Sequence, residues 1–349
     1  MAMETVGEMQ VSNDALNDPE ELRRRIGRNG YLFFRGLLDP EPVWNLRLRT
    51  LEVLRDSGWL EEGTDLADGI ADTTKICVEP EPEYLEVYNH VLKLEAFNRL
   101  AHEPAILRLM DTLIGETVLV HPMKISRLVF PQNTAFSTPP HQDFVPIQGT
   151  TDTYTCWIPL GDCPREHGGL TVRAGSHKSG VYQLHLTRGL GGMAMDIDKV
   201  PGEWVTTDYR LGDAIVFHSL TVHKALPNQS PDRLRLSVDY RFSPASQPIV
   251  EKELLPTYAM ISWDDVYAGW ESKNGQYYWK ELDLDVVPFD WRHEETVHAE
   301  AFEAAQKGDD IGRNAFQRIV SRHPDVEKRR AAQEALDLLD AKAAKQGSG

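Results

Sequence analysis

A series of short, strand-like segments in the middle of this 349-residue chain constrains its fold most strongly. Between residues 117 and 242 the chain contains VLVHPMKISRLVF, TYTCWIPLG, GLTVRAGS, DAIVFHSLTVH and RLRLSVDYRF, separated by glycine, proline, asparagine and aspartate. β-branched and aromatic residues favour strands, and the separating residues favour turns. Because no long helix interrupts the series, the sequence predicts a closed jelly roll of two sheets with the cupin-like architecture.

Helical patterns flank this β-rich region. Residues 19–28 predict a short charged helix, residues 30–36 predict a strand, and apolar residues at helical spacing predict helices over 42–54 and within 82–114. Ala- and Glu-rich segments predict further helices between residues 294 and 345. The expected fold class is therefore mainly β with flanking helices: a double-stranded β-helix core, N-terminal helices and a C-terminal helical extension.

The same patterns predict a division of the chain. We expect a disordered or loosely packed N-terminus over 1–18, and a jelly-roll domain with its N-terminal helices over 19–250. A C-terminal aromatic and helical extension over 251–345 should pack on the same domain, and a short tail follows over 346–349. The aromatic residues between Trp263 and Trp291 suit packing onto the jelly roll, an apolar pocket or a cation cage; packing is the favoured alternative.

Composition limits the function. The formal net charge of −17 opposes nucleic-acid binding without a local basic patch, and acidic residues interrupt the nearest candidate, RHPDVEKRR. Three irregularly spaced cysteines predict a reducing compartment rather than a disulfide framework. The acidic N-terminus and the lack of a long apolar run argue against a signal peptide or membrane span. We therefore expect a cytoplasmic monomer or homodimer that binds a small-molecule substrate and neither nucleic acid nor membrane.

Candidate metal ligands lie in two segments. In the segment PPHQD, alternate residues of an extended chain face the same side, so His141 and Asp143 can point at one ion. The later segment GDAIVFHSLTVH offers His218 and His223, five residues apart. An odd separation on a regular strand places two side chains on opposite faces, so we expect a single ligand, His223. Two histidines and one carboxylate on one face of octahedral iron(II) leave three positions for a bidentate 2-oxo acid and dioxygen.

An arginine follows the second histidine segment. Arg235 and Ser237 share one face of a predicted strand, beyond Asn228. A guanidinium group beside a hydroxyl suits a distal carboxylate, so Arg235 is the candidate anion-binding residue. A surface ion pair is the alternative for Arg235, and Arg233 on the same predicted face is the second candidate.

Four motifs occur in a recognisable order between residues 30 and 242: GYLFFRGLLDPEPV, HQD, WIPLGDCPREHGGLTVRAGSHKSG and GDAIVFHSLTVHKALPNQSPDRLRLSVDYRF. The sequence resembles the phytanoyl-CoA dioxygenase family of iron(II)- and 2-oxoglutarate-dependent oxygenases. The resemblance implies a double-stranded β-helix, iron bound by His141, Asp143 and His223, and a 2-oxoglutarate carboxylate held by Arg235.

The resemblance also implies two further cofactor contacts, Trp157 and Lys75. A core aromatic and an ordinary surface lysine are the alternative interpretations of these residues. One departure concerns Ala225, two residues after the last metal histidine, where the family often has a serine that helps to hold 2-oxoglutarate. That hydrogen bond is either absent here or supplied by Ser237.

The implied reaction is hydroxylation of an unactivated C–H bond, with O2 as oxidant and with release of succinate and CO2. Halogenating relatives replace the metal-binding carboxylate with a small residue, so Asp143 favours hydroxylation over halogenation. Desaturation and ring chemistry would use the same ligands and remain alternatives. The candidate substrates are a secondary metabolite, an amino acid or an acyl derivative, and the acidic chain disfavours a polyanionic CoA ester. The alternatives from other classes are a metal-dependent cupin-type enzyme that does not use 2-oxoglutarate and a non-catalytic jelly-roll binding protein.

Overall fold

The computed structural model describes residues 6–133, 136–189 and 191–346. Within these residues the chain forms ten α-helices, numbered here in chain order: α1 to α10 span Pro19–Asn29, Pro40–Asp56, Pro82–Leu92, Glu95–Leu100, Pro104–Ile114, Phe144–Ile147, Trp263–Tyr267, Glu295–Lys307, Arg313–Arg322 and Val326–Gln346. The fourteen strands β1 to β14 span Gly7–Glu8, Tyr31–Phe34, Val118–Val120, Ile125–Val129, Tyr154–Pro159, Leu170–Arg173, Leu184–Leu186, Met193–Met195, Trp204–Thr206, Ala214–His218, His223–Ala225, Arg235–Pro244, Ile249–Val250 and Val286–Val287.

Two sheets form the core. The larger sheet has six strands in the order β2-β10-β5-β12-β3, and β4 also pairs with β12. The smaller sheet has the order β1-β9-β6-β11. Two small sheets, β7-β8 and β13-β14, lie outside this pair. The two larger sheets packed face to face are the predicted jelly roll, and the helices of the N-terminal third and of the C-terminal extension flank it.

The larger sheet is buried on both faces, and β2 illustrates why. Leu32 and Phe34 pack in a cluster with the N-terminal helices, whereas Tyr31 and Phe33 pack between the two sheets. The short hydrophobic run of β2 is therefore explained by two apolar neighbours, one on each side.

Gly30 joins α1 to this strand with φ +78°, and an added Cβ would lie 2.6 Å from the Nδ1 atom of His177.

Strand β12 combines one apolar face with one polar face. Its ten residues are all buried. The apolar residues alternate along the strand and pack against the N-terminal helices; they are Leu236, Val238, Tyr240 and Phe242. The alternating polar residues therefore point between the sheets; they are Arg235, Ser237, Asp239, Arg241 and Ser243. This polar face inside the jelly roll supplies much of the candidate site.

The two ends of the chain also join the core. Residues 6–18 differ from the loose N-terminus that we expected, since Gly7 and Glu8 of β1 pair in parallel with β9 and Met9 is buried between the sheets. The remainder of that predicted segment, residues 1–5, lies outside the described residues, as do residues 347–349 of the predicted tail. The division of the chain into domains stays a prediction.

The C-terminal extension packs on the jelly roll in two places. Helices α8 to α10 share an apolar cluster with Trp204 and Val222 of the core. The aromatic segment packs with Leu119 and Ile249, as the packing alternative predicts. No helix in the described ranges has both the length and the apolar character needed to cross a bilayer.

Candidate metal centre

Two histidines from distant parts of the chain meet through their backbones. His141 and His223 form an isolated antiparallel bridge, in which each backbone N–H donates to the carbonyl of the other at 3.0 Å. His223 is also the first residue of β11, which pairs with β6 in the smaller sheet. The bridge places the two imidazole rings side by side, with centroids 4.1 Å apart.

Asp143 completes a three-residue cluster. Its Oδ1 atom lies 3.6 Å from the Nε2 atoms of both His141 and His223. One ligand atom from each residue can be chosen so that all three lie within 4.8 Å of one another. We had expected an extended segment, but the structure differs at Asp143. This residue has helical backbone angles (φ −65°, ψ −29°) and immediately precedes α6. The side chains converge because the chain turns there.

Backbone carbonyls orient both imidazole rings. The Nδ1 atom of His141 lies 2.9 Å from the carbonyl oxygen of Pro139, and that of His223 lies 3.0 Å from the carbonyl oxygen of Thr221. Because a carbonyl only accepts hydrogen bonds, each Nδ1 must donate, and each Nε2 is left with its lone pair directed at the cluster. Metal-binding histidines commonly have this arrangement.

Thr155 and Arg241 hold the Asp143 carboxylate in place. The hydroxyl of Thr155 donates to Oδ2 at 2.6 Å, and the Arg241 guanidinium lies 3.4 Å from each carboxylate oxygen. Burial would raise the pKa of Asp143, but the positive charge of Arg241 holds it well below its usual range. Burial lowers the pKa of His223 to about 3. An ionised carboxylate and a neutral imidazole are the forms that bind a metal.

Gln142, between the two ligands, anchors the segment. Its amide nitrogen donates to the carbonyls of Gly180 at 2.9 Å and Leu220 at 2.7 Å, and its amide oxygen accepts from the backbone N–H of Tyr182 at 2.9 Å. Gln142 is buried. It therefore holds the segment in place while its neighbours face the site, a role that sequence analysis did not identify.

The C-terminal extension contacts the same segment. Gln148, just after α6, donates through its amide nitrogen to the carbonyl of Asp290 at 3.0 Å and accepts from the backbone N–H of Asp290 at 2.7 Å. Phe144 of α6 makes an edge-on ring contact with His293. At the other end of the segment, Met195 of β8 donates its N–H to the carbonyl of Pro140 at 3.0 Å. The segment that carries two candidate ligands is thus held at both ends.

His218 lies outside the cluster, in agreement with the choice of His223. The reason differs from the one we gave, because the two histidines are not on one strand: His218 ends β10 of the larger sheet, and His223 begins β11 of the smaller sheet. Nδ1 of His218 accepts from the backbone N–H of Leu220 at 3.1 Å. The turn between the strands, rather than alternation along one strand, separates the two rings.

A cavity opens beside the cluster, and we call it the inner cavity. It is lined by Arg127, Thr138, His141, Asp143, Trp157, Leu170, Phe217, His223, Ala225, Arg235 and Asp239. The structure therefore brings Trp157 and Arg235 to the three candidate ligands, as the resemblance implied. Trp157 is buried on β5. Ala225, the departure from the family pattern, also lines this cavity.

Arg235 has the contacts expected of an anion-binding residue. It is 5% exposed, and its Nη1 donates to the Ser237 hydroxyl at 2.8 Å. Its Nε atom is buried and has no hydrogen-bond partner in the part of the chain that the structure describes. Among the residues that the structure describes, Arg235 forms no ion pair. A buried guanidinium group without a carboxylate partner is costly unless an anion binds there, so the site fits the distal carboxylate of 2-oxoglutarate.

Two of the sequence candidates lie elsewhere. Lys75 is exposed at the end of a short 3-10 helix (Thr73–Lys75) and does not line the inner cavity. Arg233 is on the surface, 3.4 Å from a carboxylate oxygen of Asp68. Neither residue is in position to hold a cofactor at the cluster.

Sequence analysis missed several site residues, namely Arg127, Thr155, Asp239 and Arg241. A signal for two of them was present, since RLSVDYRF alternates polar and apolar residues and β12 carries Asp239 and Arg241 on the same face as Arg235. The other two reach the site through strand pairing: Arg127 lies opposite Ser237, and Thr155 lies opposite Arg241.

A family comparison identifies the chain. The family model described as "Phytanoyl-CoA dioxygenase (PhyH)" matches residues 26–236. The chain belongs to this family. As a phytanoyl-CoA dioxygenase family member it is an iron(II)- and 2-oxoglutarate-dependent oxygenase. This assignment confirms the predicted enzyme class and cofactors and sets aside both the cupin-type enzyme without 2-oxoglutarate and the non-catalytic binding protein.

The chain is similar to several individual proteins over about two thirds of its length. A "1-deoxypentalenic acid 11-beta-hydroxylase" from Streptomyces arenae is 31% identical over 245 residues, covering 66% of this chain and 83% of the relative. The enzyme of the same description from Streptomyces exfoliatus is 30% identical over 249 residues, with the same coverage. Among solved structures, the epimerase SnoN in complex with Fe3+, alpha ketoglutarate and nogalamycin RO is 25% identical, with a TM-score of 0.47, covering 67% of this chain and 86% of that chain.

Proposed function

We propose that this family member hydroxylates an unactivated C–H bond of a small organic molecule, with His141, Asp143 and His223 as the iron ligands. The observation that carries the proposal is the convergence, in one cavity, of this cluster with the buried guanidinium of Arg235, which forms no ion pair with any described residue. Two histidines and one carboxylate suit iron(II) and leave positions for a chelating 2-oxo acid and dioxygen.

The residues have distinct tasks in this proposal. Arg235 and Ser237 bind the distal carboxylate of 2-oxoglutarate, and Trp157 forms a wall of its pocket. Lys75 has no task, because it is exposed. When bound, iron(II) and 2-oxoglutarate supply the oxidising chemistry: one atom of O2 enters succinate as 2-oxoglutarate loses CO2, and the other enters the substrate C–H bond. The protein orients both molecules and excludes water from the site.

The type of substrate is inferred from the relatives and the cavity walls. The hydroxylases that are 31% and 30% identical act, by their names, on 1-deoxypentalenic acid, a small organic molecule. A second cavity adjoins the inner one through Arg127, Thr138 and Arg235, and we call it the outer cavity. The residues that line it include apolar and aromatic ones, namely Tyr84, Leu128, Val129, Phe130 and Phe136. These features favour a secondary metabolite over an amino acid or a CoA ester.

Anaerobic titration of the iron(II)-loaded protein with 2-oxoglutarate tests the cofactor assignment. Chelation of iron(II) by a 2-oxo acid gives a weak visible charge-transfer band, and we expect a saturable band from the wild-type protein. Arg235→Ala should abolish the band at the same 2-oxoglutarate concentration. Arg233→Ala is the matched control, since it removes a surface arginine, and it should leave the band intact. Stoichiometric iron binding without a band in the wild type would refute the proposed site.

Mass spectrometry of the turnover product tests the reaction type. Hydroxylation adds one oxygen atom, and under 18O2 that atom carries the label. A product that has instead lost two hydrogen atoms would show desaturation, and the hydroxylase proposal would then be wrong although the iron site is right.

A further inference from the structure

We propose that Arg127 binds a carboxylate of the primary substrate at the boundary between the inner and outer cavities. The proposal rests on the proposed function and extends it, because it names the substrate class as an organic monoanion with an apolar body. Arg127 is not one of the three candidate metal ligands.

The contacts of Arg127 leave part of its guanidinium group available. Arg127 lies on β4 opposite Ser237 of β12, and its Nε donates to Asp239 Oδ2 at 2.8 Å. Its side chain is 19% exposed. Its two terminal nitrogens donate no hydrogen bond to any residue within the described ranges. Asp239 therefore holds the guanidinium in place by one edge while the other nitrogens remain free for a planar, two-oxygen acceptor.

Arg127 lies closer to the surface than the candidate 2-oxoglutarate site does. It lines both cavities, together with Thr138 and Arg235. Arg235 is more deeply buried, at 5% exposure, and is paired with the hydroxyl of Ser237. Arg127 faces the apolar walls of the outer cavity. A ligand held by Arg127 can therefore place an apolar body in the outer cavity beside the iron site.

The ion pairs around the cavity account for the nearby carboxylates. Asp239 pairs with Arg127 through Nε, and Asp143 pairs with Arg241. Arg235 forms no ion pair among the described residues and is the proposed partner of the distal carboxylate of 2-oxoglutarate. The terminal nitrogens of Arg127 therefore remain for a carboxylate of the substrate.

One further charged group faces the outer cavity. Glu79 lines this cavity but is partly exposed, and among the described residues it forms no ion pair. Solvent screens such a group more strongly than the buried residues. Glu79 acts on Arg127 through its charge but accepts no hydrogen bond from it within the described ranges, so the terminal nitrogens of Arg127 stay available.

Matched pairs of apolar acids and their amides test the proposal. Cyclohexanecarboxylate, adamantane-1-carboxylate and abietate would each be compared with the neutral primary amide of the same skeleton. Binding to the wild-type protein loaded with iron(II) and 2-oxoglutarate would be measured anaerobically by calorimetry. We expect at least one acid to bind more tightly than its amide. Arg127→Gln should remove that preference, weakening acid binding about 10- to 100-fold through the loss of charge-assisted hydrogen bonds.

Arg127→Lys and Arg233→Gln complete the experiment. Arg127→Lys keeps a positive charge beside Asp239, so it guards against a folding defect, and it should recover only part of the preference for acids. Arg233→Gln alters a surface arginine and should retain the full preference. If no acid binds better than its amide, or if the preference survives in Arg127→Gln, the proposal is wrong.

The titration of 2-oxoglutarate separates the remaining outcomes. Arg127→Gln should bind 2-oxoglutarate as the wild type does. A large loss of 2-oxoglutarate affinity, with acid binding unchanged, would assign Arg127 to the co-substrate and overturn the proposal. Absence of the charge-transfer band in the wild type would instead refute the proposed function itself, so the two failures are distinguishable.

Discussion

The hydrogen bond from Thr155 to Asp143 gives the sharpest prediction for the metal centre. Thr155→Val removes the 2.6 Å bond to Oδ2 at nearly constant side-chain volume. Oδ1, the oxygen nearest to both histidine Nε2 atoms, would then no longer be held in place. Arg241 lies 3.4 Å from both carboxylate oxygens, so the released carboxylate is expected to rotate toward it and form a closer two-point ion pair.

The expected loss of iron affinity follows from the strength of that bond. A hydrogen bond to a charged group contributes about 1.5–3 kcal/mol. If metal binding must recover this energy by pulling the carboxylate away from Arg241, the iron(II) Kd rises about 10- to 100-fold, at about 1.4 kcal/mol per tenfold. Losses of similar size, about 10- to 100-fold, are typical when a residue supporting a metal ligand is removed.

Anaerobic iron(II) titration of the purified apoprotein measures the effect. Thr171→Val is the matched control, because the Thr171 hydroxyl is buried and has no hydrogen-bond partner among the described residues. This variant should keep its iron affinity and be as stable as the wild type or more stable. An unchanged Kd in a well-folded Thr155→Val protein would refute the reasoning and would mean that Arg241 and the start of α6 alone orient Asp143.

Three further predictions concern other parts of the molecule. His223→Ala should lose stoichiometric iron(II) binding whereas His218→Ala retains it, as measured by metal analysis after anaerobic loading; the reverse result would move the third ligand. Gln148→Leu removes two hydrogen bonds to the Asp290 backbone. The free energy of unfolding, measured with urea, should therefore fall by about 1–3 kcal/mol, and iron(II) titration should show weaker binding. If both values are unchanged, the extension does not support the segment that carries His141 and Asp143. Burial lowers the pKa of Lys124 to about 7, so its charge opposes folding most strongly below pH 7, and this cost falls as the pH rises toward 10.5. Lys124→Met should therefore raise the Tm in calorimetry, by more at pH 6 than at pH 9, and an equal gain at both values would contradict this pKa.

The sequence predicted the elements of the fold well because its patterns are local. The helices at 19–28, 42–54 and 82–114 were predicted from apolar spacing, and the structure has helices at Pro19–Asn29 and Pro40–Asp56 and three within 82–114. The β-rich middle formed the expected jelly roll. These features depend on neighbouring residues, and strand and helix periodicities report them directly.

Features that depend on strand pairing were not predictable in the same way. Arg127 and Thr155 reach the site only because β4 and β5 flank β12 in one particular register, and a pattern along one strand does not reveal which residue lies opposite. His218 was excluded for a reason that does not hold, since a turn to the other sheet follows it. Lys75 was taken from a resemblance in a segment that the fold leaves on the surface.

The direction of the polar face of β12 was not predicted for a different reason. Alternation in an antiparallel sheet normally places polar residues toward water. Here the apolar residues of the strand face the helices, and the polar ones face the space between the sheets, where the candidate metal ligands lie. Alternation along a strand that follows a metal motif is therefore also compatible with polar residues that face the interior.

The position of β12 also affects how the enzyme can be divided into fragments. The family match ends at residue 236, whereas β12 continues to Pro244 and the Asp290 contact with the metal-binding segment lies further on. A fragment cut at the edge of the recognised family would end inside β12, without Asp239, Arg241 or the support that holds α6. A library of shortened or fused variants should therefore keep the chain intact at least through the C-terminal helices.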